Sequence, residues 1–198
     1  MNLKNKLLHQ LLIIIILLFN TNLKGSEILQ IGNNDAKILV KVFSSLTCPH
    51  CANFHNNIYE KLKTEYIEKN YVKFEHHSFP LDLAALNAEI IIRCTNDRKK
   101  SFQLLTEIYK KQNKWAVGSD INIINDQIKK IGKNSGLLEK NMDECLNNAK
   151  LQDRILNERI EAQKKYKISS TPTIYINNKK YEGKHNFKSF KKALERIL

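Results

Sequence analysis

The sequence predicts an α/β domain whose strands are separated along the chain by a block of helices. Three observations support this prediction: a β-α-β pattern follows residue 26, helical patterning runs from 83 to about 167, and a β-hairpin and a helix close the chain. The chain has 198 residues and no recognisable internal repeat. One composite domain over 27–198, with a helical insertion at about 83–150, therefore fits better than two independent domains.

The first part of the domain is predicted to contain two strands, a helix and a third strand. Glu27–Ile31 and Lys37–Ser44 are the two strands, the second because it is apolar and β-branched. Pro49 suits the first turn of a helix, and 71–79 alternates as a strand that Pro80 ends. The predicted buried positions of this helix, near helical spacing, are Phe54, Ile58, Leu62 and Ile67. A strand, a helix and a strand in this order favour parallel pairing through a right-handed crossover.

The helical block contains five predicted segments. They cover 84–94, 99–112, 119–132, Leu138–Leu146 and Lys150–Lys165. Ser119 is the predicted N-cap of the third segment, and Gly132 lies near its end. The block therefore separates the β-α-β unit from the strands that follow it.

A hairpin and a helix are predicted at the C-terminal end. Residues 169–183, "SSTPTIYINNKKYEG", hold a Thr-Pro step, a strand, an Asn-Asn turn and a short second strand. Asn186 is the predicted N-cap of the last helix. The apolar face of that helix carries Phe187, Phe190, Leu194 and Ile197.

The first 26 residues have the order of a secretory signal peptide. Lys4 and Lys6 precede the apolar run Leu11–Phe19, and polar residues and the pair Gly25–Ser26 follow it. The run is short for a membrane-spanning helix, and the cleavage site lacks an A-x-A pattern. We expect export by a signal peptide at 1–26, with an uncleaved anchor as the alternative. The rest of the chain has no second apolar stretch of membrane length.

The chain is strongly basic. Its formal charge is +13, which becomes +10 when Lys4, Lys6 and Lys24 leave with the signal. A basic protein can bind nucleic acid or anionic membranes. The lysines here are scattered among asparagines and isoleucines without a cluster of interleaved aromatic residues. We therefore interpret the charge as a solvated surface and expect no nucleic-acid partner.

Cys48 and Cys51 stand where the second strand gives way to a helix, in "SSLTCPHCANFH". A sulfur at a helix N-terminus meets unpaired N–H groups and the positive end of the helix dipole, which favour the thiolate. Cys51, one turn later, is within reach for a disulfide, and His50 is expected to stabilise the thiolate further. Because stabilising the reduced form makes a disulfide a stronger oxidant, the pair is predicted to donate its disulfide.

Two other fates of the pair stay open from the residues alone. A metal site would combine Cys48 and Cys51 with His55 or with the pair His76–His77, although a closed zinc site usually has a second close pair of ligands. A purely structural link would close a very small loop and stabilise little. We favour the redox pair and expect neither a metal nor a cofactor.

Thr171 and Pro172 form a second marker. In thioredoxin-like proteins a cis-proline loop faces the C-x-x-C pair, and this Thr-Pro step stands just before the C-terminal hairpin. We expect a cis bond here, although X-Pro bonds are only occasionally cis. The loop would offer the backbone groups of Thr171 to an incoming peptide.

Together these residues resemble the DsbA family of periplasmic thiol:disulfide oxidoreductases, in particular its alphaproteobacterial, rickettsial-type branch. The likeness covers roughly Ile28–Leu198 and rests on "FSSLTCPHCANFH", "FPLD" at 79–82, "RC" at 93–94 and "TPTIYINNKKYEG" at 171–183. It implies a thioredoxin fold with an inserted helical domain. It further implies that Cys48 is the nucleophile, that Cys51 is the resolving cysteine, and that a DsbB-like membrane protein with a quinone reoxidises the pair.

The resemblance also implies a structural disulfide between Cys94 and Cys145, because a second pair joins helices of the insertion in this branch. Two buried free thiols, or a regulatory pair that tunes Cys48, are the alternatives. The chain departs from the family at Val42, where relatives often carry a buried acid, and Glu75 on the next strand is a candidate substitute. Thr171 stands where oxidases often have valine.

The predicted function is that of an exported, monomeric enzyme that donates the Cys48–Cys51 disulfide to cysteine-containing exported proteins. A disulfide isomerase or reductase of the same fold is the alternative within this class. Such an enzyme usually has a dimerisation region, and we see none in the short stretch after the signal. A non-catalytic module that binds metal or peptide is the alternative from another class.

Overall fold

The computed structural model describes residues 28–95 and 97–198. The predicted signal peptide, 1–26, lies outside the described residues, and so does Glu27 of the first predicted strand. None of the helices in the described part is long and apolar enough to cross a membrane.

Five strands of the described chain form one sheet in the order β1-β3-β2-β4-β5. Their bounds are Leu29–Ile31, Ile38–Ser44, Val72–Ser78, Thr173–Ile176 and Lys179–Lys180, for β1 to β5. β2 pairs in parallel with β3, which confirms the parallel pairing predicted for the β-α-β unit. β1 pairs antiparallel with β3, β4 antiparallel with β2, and β5 antiparallel with β4.

The helices are numbered in chain order. α1 runs without a break through Pro49–Phe54, His55–Tyr59, Glu60–Leu62 and Lys63–Ile67, and its second and fourth parts are π-helical. The others are α2 Leu83–Arg93, α3 Arg98–Lys110, α4 Gln112–Trp115, α5 Ile121–Asn134, α6 Glu139–Leu146, α7 Ala149–Tyr166 and α8 Phe187–Glu195. α2 to α7 thus lie between β3 and β4, as the thioredoxin fold with a helical insertion requires.

The sheet is covered on both faces. Val42 of β2 belongs to the large core with Ile58 of α1 and Phe190 of α8, and the four predicted core positions of α1 are all buried. Phe43, the next residue of β2, packs with Ala162 of α7 on the other face. Because alternate residues of a strand point to opposite faces, this alternation decides which side chains can meet the cysteine pair.

Two details of the helical block differ from the sequence-based expectation. Ser119 is not the N-cap of α5, because the carboxylate of Asp120 accepts a hydrogen bond from the backbone N–H of Asn122 at 2.9 Å. The segment predicted at 99–112 ends as α3 at Lys110, and a separate short helix, α4, follows. The predicted cap of α8 is confirmed, since Asn186 accepts from the N–H of Ser189.

Cys94 and Cys145 are joined in a disulfide. The bond ties the end of α2 to α6 across 51 residues of sequence, with the two Cα atoms 5.9 Å apart. This pairing is the one that the family resemblance implied, and it links two helices of the insertion.

Candidate active site

The turn from β2 to α1 positions Cys48. β2 ends at Ser44, and Cys48 is the extended N-cap residue of α1, with Pro49 in the first turn. The carbonyl oxygen of Cys48 accepts hydrogen bonds from the N–H groups of Cys51 at 3.0 Å and Ala52 at 3.1 Å. The sulfur of Cys48 therefore lies beside the first, unpaired N–H groups of the helix.

The cis-proline loop faces the cysteine pair. The Thr171–Pro172 bond is cis, as predicted, and the Cys48 thiol donates a hydrogen bond to the carbonyl oxygen of Thr171 at 3.3 Å. Both thiols are free, and Cys48 is 8% exposed whereas Cys51 is 1% exposed. Only Cys48 is thus open to attack, beside a backbone that a peptide can pair with.

The two thiols differ widely in acidity. A hydrogen bond from the Cys51 thiol lowers the pKa of Cys48 to about 5 against the opposing effect of burial, and the hydroxyl of Thr171 and the backbone N–H groups of Cys51 and His50 add to the lowering. Burial raises the pKa of Cys51, and the nearby Cys48 adds to that effect. At neutral pH the reduced pair consists of a Cys48 thiolate and a Cys51 thiol, which is the division of labour that thiol exchange needs.

Pro49 and His50 lie between the cysteines and are exposed. His50 lowers the pKa of Cys48 through its backbone N–H. The sequence-based interpretation gave this role to the imidazole, so tuning by the ring stays a prediction.

Two contacts that hold the cysteine turn were not foreseen from the sequence. Gln112, which is buried in α4, donates through Nε2 to the carbonyl oxygens of Leu46 at 2.7 Å and Cys48 at 3.0 Å. The hydroxyl of Thr47 donates to the carboxylate of Asp82 at 2.7 Å. The "FPLD" stretch was noted only as a mark of resemblance, and the glutamine carried no sequence signal.

Glu75 does not replace the missing buried acid. In the β2–β3 register it stands beside Lys41, on the face opposite Val42, and its Oε2 is 2.9 Å from Nε2 of His77. The expectation that Glu75 serves Cys51 is therefore wrong, because the alternation of the strand carries it to the far face of the sheet. The buried acid on the Val42 side is Glu89, which is fully buried.

The histidines of the alternative metal site do not gather around the cysteines. Nε2 of His55 is 2.9 Å from the hydroxyl of Thr106, and Nε2 of His76 is 3.1 Å from a carboxylate oxygen of Glu89. His77 pairs with Glu75 on the other face. Within 28–95 and 97–198, no group of three or more His, Cys, Asp or Glu side chains is arranged to hold a metal ion.

Comparison with known proteins places this geometry in a family. A family model described as Thioredoxin matches residues 24–196. The structure is similar to that of Wolbachia pipientis alpha-DsbA1, with a TM-score of 0.79 and 26% identity over 86% of this chain and 90% of the other. The chain belongs to the thioredoxin family and is DsbA-like. The metal- or peptide-binding alternative is accordingly not favoured.

Other relatives of this thioredoxin-family chain carry related descriptions. A putative protein-disulfide oxidoreductase of Rickettsia bellii is 30% identical over 169 residues, which are 85% of this chain and 63% of the relative. The disulfide bond formation protein D of Bacillus subtilis is 27% identical over 89% of this chain and 79% of its own length. The chain thus spans about three-fifths of the length of the Rickettsia relative. The solved structure of BdbD from B. subtilis shares the fold, with a TM-score of 0.75 at 20% identity.

Proposed function

We propose that this chain is a thiol:disulfide oxidoreductase that donates the Cys48–Cys51 disulfide to cysteine-containing exported proteins. The observation that carries the proposal is the contrast between the two thiols. The pKa of Cys48, at the N-terminus of α1, is lowered to about 5, whereas burial raises the pKa of Cys51 and keeps that thiol protonated. A stabilised reduced form gives its disulfide away readily.

The reaction consumes no external cofactor within one turnover. A substrate thiolate attacks the Cys48 sulfur, the Cys48–Cys51 bond breaks, and its electron pair leaves on Cys51. A second substrate thiolate then attacks the substrate sulfur of the mixed disulfide, and Cys48 leaves as a thiolate. The substrate loses two electrons and gains a disulfide, while the enzyme is left reduced, with Cys51 protonated from solvent.

The cis-proline loop is the proposed peptide site. The carbonyl of Thr171 lies against the Cys48 thiol, and Pro172 offers no N–H of its own. A substrate segment would pair with the backbone of Thr171 in an extended conformation, which holds the attacking sulfur next to Cys48.

The test uses a peptide with two reduced cysteines. The oxidised protein should form one peptide disulfide for each Cys48–Cys51 disulfide that is consumed. Cys48→Ser should abolish this reaction. Cys51→Ser should accumulate mixed disulfides, because Cys48 can still bond to a substrate sulfur and no Cys51 thiol is present to displace that substrate by attacking Cys48. Full activity of the Cys48→Ser variant would refute the proposal.

The balance between oxidase and reductase is decided by the reduction potential. A value near about −120 mV against glutathione fits an oxidase, and one near about −270 mV fits a thioredoxin-like reductant. We propose the oxidase, in an exported monomer that a DsbB-like membrane protein reoxidises. Accumulation of the Cys51→Ser protein in mixed disulfides with exported proteins would support that location, and its confinement to the cytoplasm would contradict it.

A further inference from the structure

A cavity of about 660 Å³ lies between the β4–β5 hairpin and α8, and we call it the basic cavity. Its floor consists of the apolar residues Ile176, Ala193 and Ile197. Its rim consists of five exposed cationic residues, Lys179, Lys180, Lys184, Lys192 and Arg196. The fold brings them together because Tyr181, which follows β5, packs on Phe190 of α8 with ring centroids 5.1 Å apart.

The rim carries an excess of positive charge. Among the described residues that line the cavity, Glu182 is the only acid, and its carboxylate is 3.0 Å from Nζ of Lys180. Glu195, beside Arg196 in sequence, pairs instead with Lys191 at 3.8 Å. Four residues of the rim have no ion-pair partner within the described part of the chain: Lys179, Lys184, Lys192 and Arg196. Like charges around one cavity repel one another, and an anionic partner would relieve that repulsion.

Two local roles explain these cations only in part. β5 is an edge strand of the described sheet, and lysines on an edge oppose pairing with another chain. Lys192 in the last turn of α8 and Arg196 at its C-cap complement the helix dipole. Neither role requires the hairpin and the helix to line one cavity with their cations, and neither involves Lys184.

Lipid phosphate groups match the chemistry of the basic cavity. Four of its five cations are lysines, whose ammonium groups are point charges that bind phosphate without a fixed geometry. The aliphatic stems of these lysines and the apolar floor can contact the glycerol and acyl groups next to the phosphate. Among the described residues of the lining, Tyr181 is the only aromatic one, so a nucleic acid would find no row of rings on which to stack its bases.

A membrane contact at this cavity is compatible with the proposed reaction. An exported chain that a membrane protein reoxidises works next to a lipid surface. The residues described as lining the basic cavity include no member of the cysteine turn or of the Thr171–Pro172 loop. Cys48 would therefore stay open to substrates while the cavity faces a membrane.

We propose that the basic cavity docks the chain on an anionic membrane surface by binding the phosphate groups of lipid headgroups. The contact is electrostatic and reversible, so added salt weakens it by screening the exposed charges. The choice of a membrane as the partner rests on the proposed function, whereas the binding itself requires no thiol exchange.

The first test follows the modification of single lysines of the full chain by acetic anhydride, using mass spectrometry. Vesicles of phosphatidylcholine mixed with phosphatidylglycerol should slow the modification of Lys184 and Lys192 about threefold or more, relative to vesicles of phosphatidylcholine alone. Lys100 of α3 and Lys130 of α5 are the controls, since both are exposed and do not line the cavity. Their rates should change by less than about twofold. The comparison of the two vesicle types cancels any attachment that does not depend on charge.

The second test measures co-sedimentation of double variants with the same vesicles. Lys192→Gln/Arg196→Gln should bind the phosphatidylglycerol vesicles about tenfold or more weakly than the wild-type protein. Lys100→Gln/Lys130→Gln removes the same charge outside the cavity and should bind within about twofold of wild type. Equal losses in the two variants, or equal protection of all four lysines in the first test, would show a general effect of net charge and overturn the proposal.

The same lysines report other occupants. If inorganic phosphate without vesicles protects Lys184 and Lys192 as well as phosphatidylglycerol does, the cavity binds free anions and is not a docking surface. If duplex DNA protects them and vesicles do not, the partner is a nucleic acid. Either result overturns the proposal.

Failure of the docking is distinguishable from failure of the proposed function. A protein that oxidises two-cysteine peptides but gains no protection from phosphatidylglycerol vesicles would refute the docking alone. A protein whose cavity lysines are protected but which does not oxidise the peptides would refute the reaction alone. Both double variants keep Cys48 and Cys51, so both should oxidise the peptides in solution at the wild-type rate.

Discussion

At the scale of single residues, hydrogen bonds to the carbonyl oxygen of Cys48 fix the backbone of the cysteine turn. This oxygen accepts two backbone N–H groups of α1 and the side-chain amide of Gln112. The same amide also bonds Leu46, so one buried side chain fixes both ends of the turn that presents the thiol. Hydrogen bonds from the Cys51 thiol and from the first backbone N–H groups of α1 lower the pKa of Cys48, and Gln112 holds the turn that carries it.

Replacing Gln112 with methionine should lower the free energy of unfolding by about 1–3 kcal/mol, because the Leu46 carbonyl loses its side-chain donor and the Cys48 carbonyl loses one of three donors while the volume is kept. Urea unfolding of the oxidised protein measures the change. Gln103→Met is the matched control, since Gln103 is an exposed residue of α3. Equal stability of the two variants would show that the Gln112 bonds contribute nothing.

At the scale of elements, a buried ion network ties the helical insertion to the sheet. One carboxylate oxygen of Glu89 in α2 lies 3.1 Å from Nε2 of His76 in β3. The other accepts a hydrogen bond from Nε of Arg93 at 2.8 Å. Arg93 in turn makes two hydrogen bonds to Glu158 of α7, at 2.9 and 2.7 Å. Burial raises the pKa of Glu89, but its interactions with His76 and with the Arg93 guanidinium outweigh that effect and lower the pKa to about 2. The network connects α2, α7 and the sheet.

Glu89→Ala should lower the free energy of unfolding by about 3–5 kcal/mol, because it leaves buried partners uncompensated. Glu139→Ala is the control: Glu139 pairs with Lys133 at 2.9 Å but is half exposed, so its loss should cost less than about 1 kcal/mol. Urea unfolding at neutral pH distinguishes the two. A loss below about 1 kcal/mol in Glu89→Ala would contradict the structural importance of the network.

The Cys94–Cys145 disulfide acts at the same scale, by closing a loop between two helices of the insertion. Replacing both cysteines by alanine should lower the free energy of unfolding by up to about 4 kcal/mol, from the loop-closure entropy of a separation of 51 residues. Urea unfolding measures the loss. We propose a structural role for this bond, so glutathione should attack the Cys48–Cys51 disulfide of the variant at the wild-type rate. A changed rate with unchanged stability would favour the regulatory alternative.

At the scale of the whole molecule, the acidity of Cys48 couples stability to redox state. The folded reduced protein holds a thiolate with a pKa of about 5, against 9.0 for an ordinary thiol. Because the pKa of Cys48 is lower in the folded protein than in the unfolded chain, ionisation of this thiol increases the free energy of unfolding. The contribution is complete above pH 9 and is lost as the pH falls to about 5. Below about pH 8, Cys51, whose pKa is raised, is protonated in both the folded and the unfolded protein and does not oppose the effect.

The free energy of unfolding of the reduced protein, taken relative to that of the oxidised protein, should therefore decrease from pH 8 to pH 5. Urea unfolding of both forms at several pH values measures the difference. Reduced Cys48→Ser protein is the control, because it has no thiolate to lose and should not show this decrease. A difference that is constant across the window would contradict the low pKa of Cys48.

The sequence by itself determined most of the secondary-structure elements of this protein and the position of its cysteine pair. Strand and helix periodicity, the Pro49 step and the Thr171–Pro172 step are local signals, so the β-α-β unit, the hairpin and the place of the cysteine pair at the start of a helix were predictable. Local signals fail at helix ends, where neighbouring residues compete: Asp120 rather than Ser119 caps α5, because its carboxylate bonds the second N–H of the helix.

Only the tertiary structure decided what surrounds the two sulfurs. Gln112 reaches Cys48 across 64 residues, and Asp82 accepts a hydrogen bond from Thr47 across 35 residues. Glu75 was a reasonable candidate by its position, but the register of β3 on β2 carries it to the other face. Such contacts depend on how helices cross and how strands align, and no periodicity along the chain encodes them. The position of Cys48 and Cys51 is therefore local information, and the groups that contact their turn, such as Gln112 and Thr171, are set by packing.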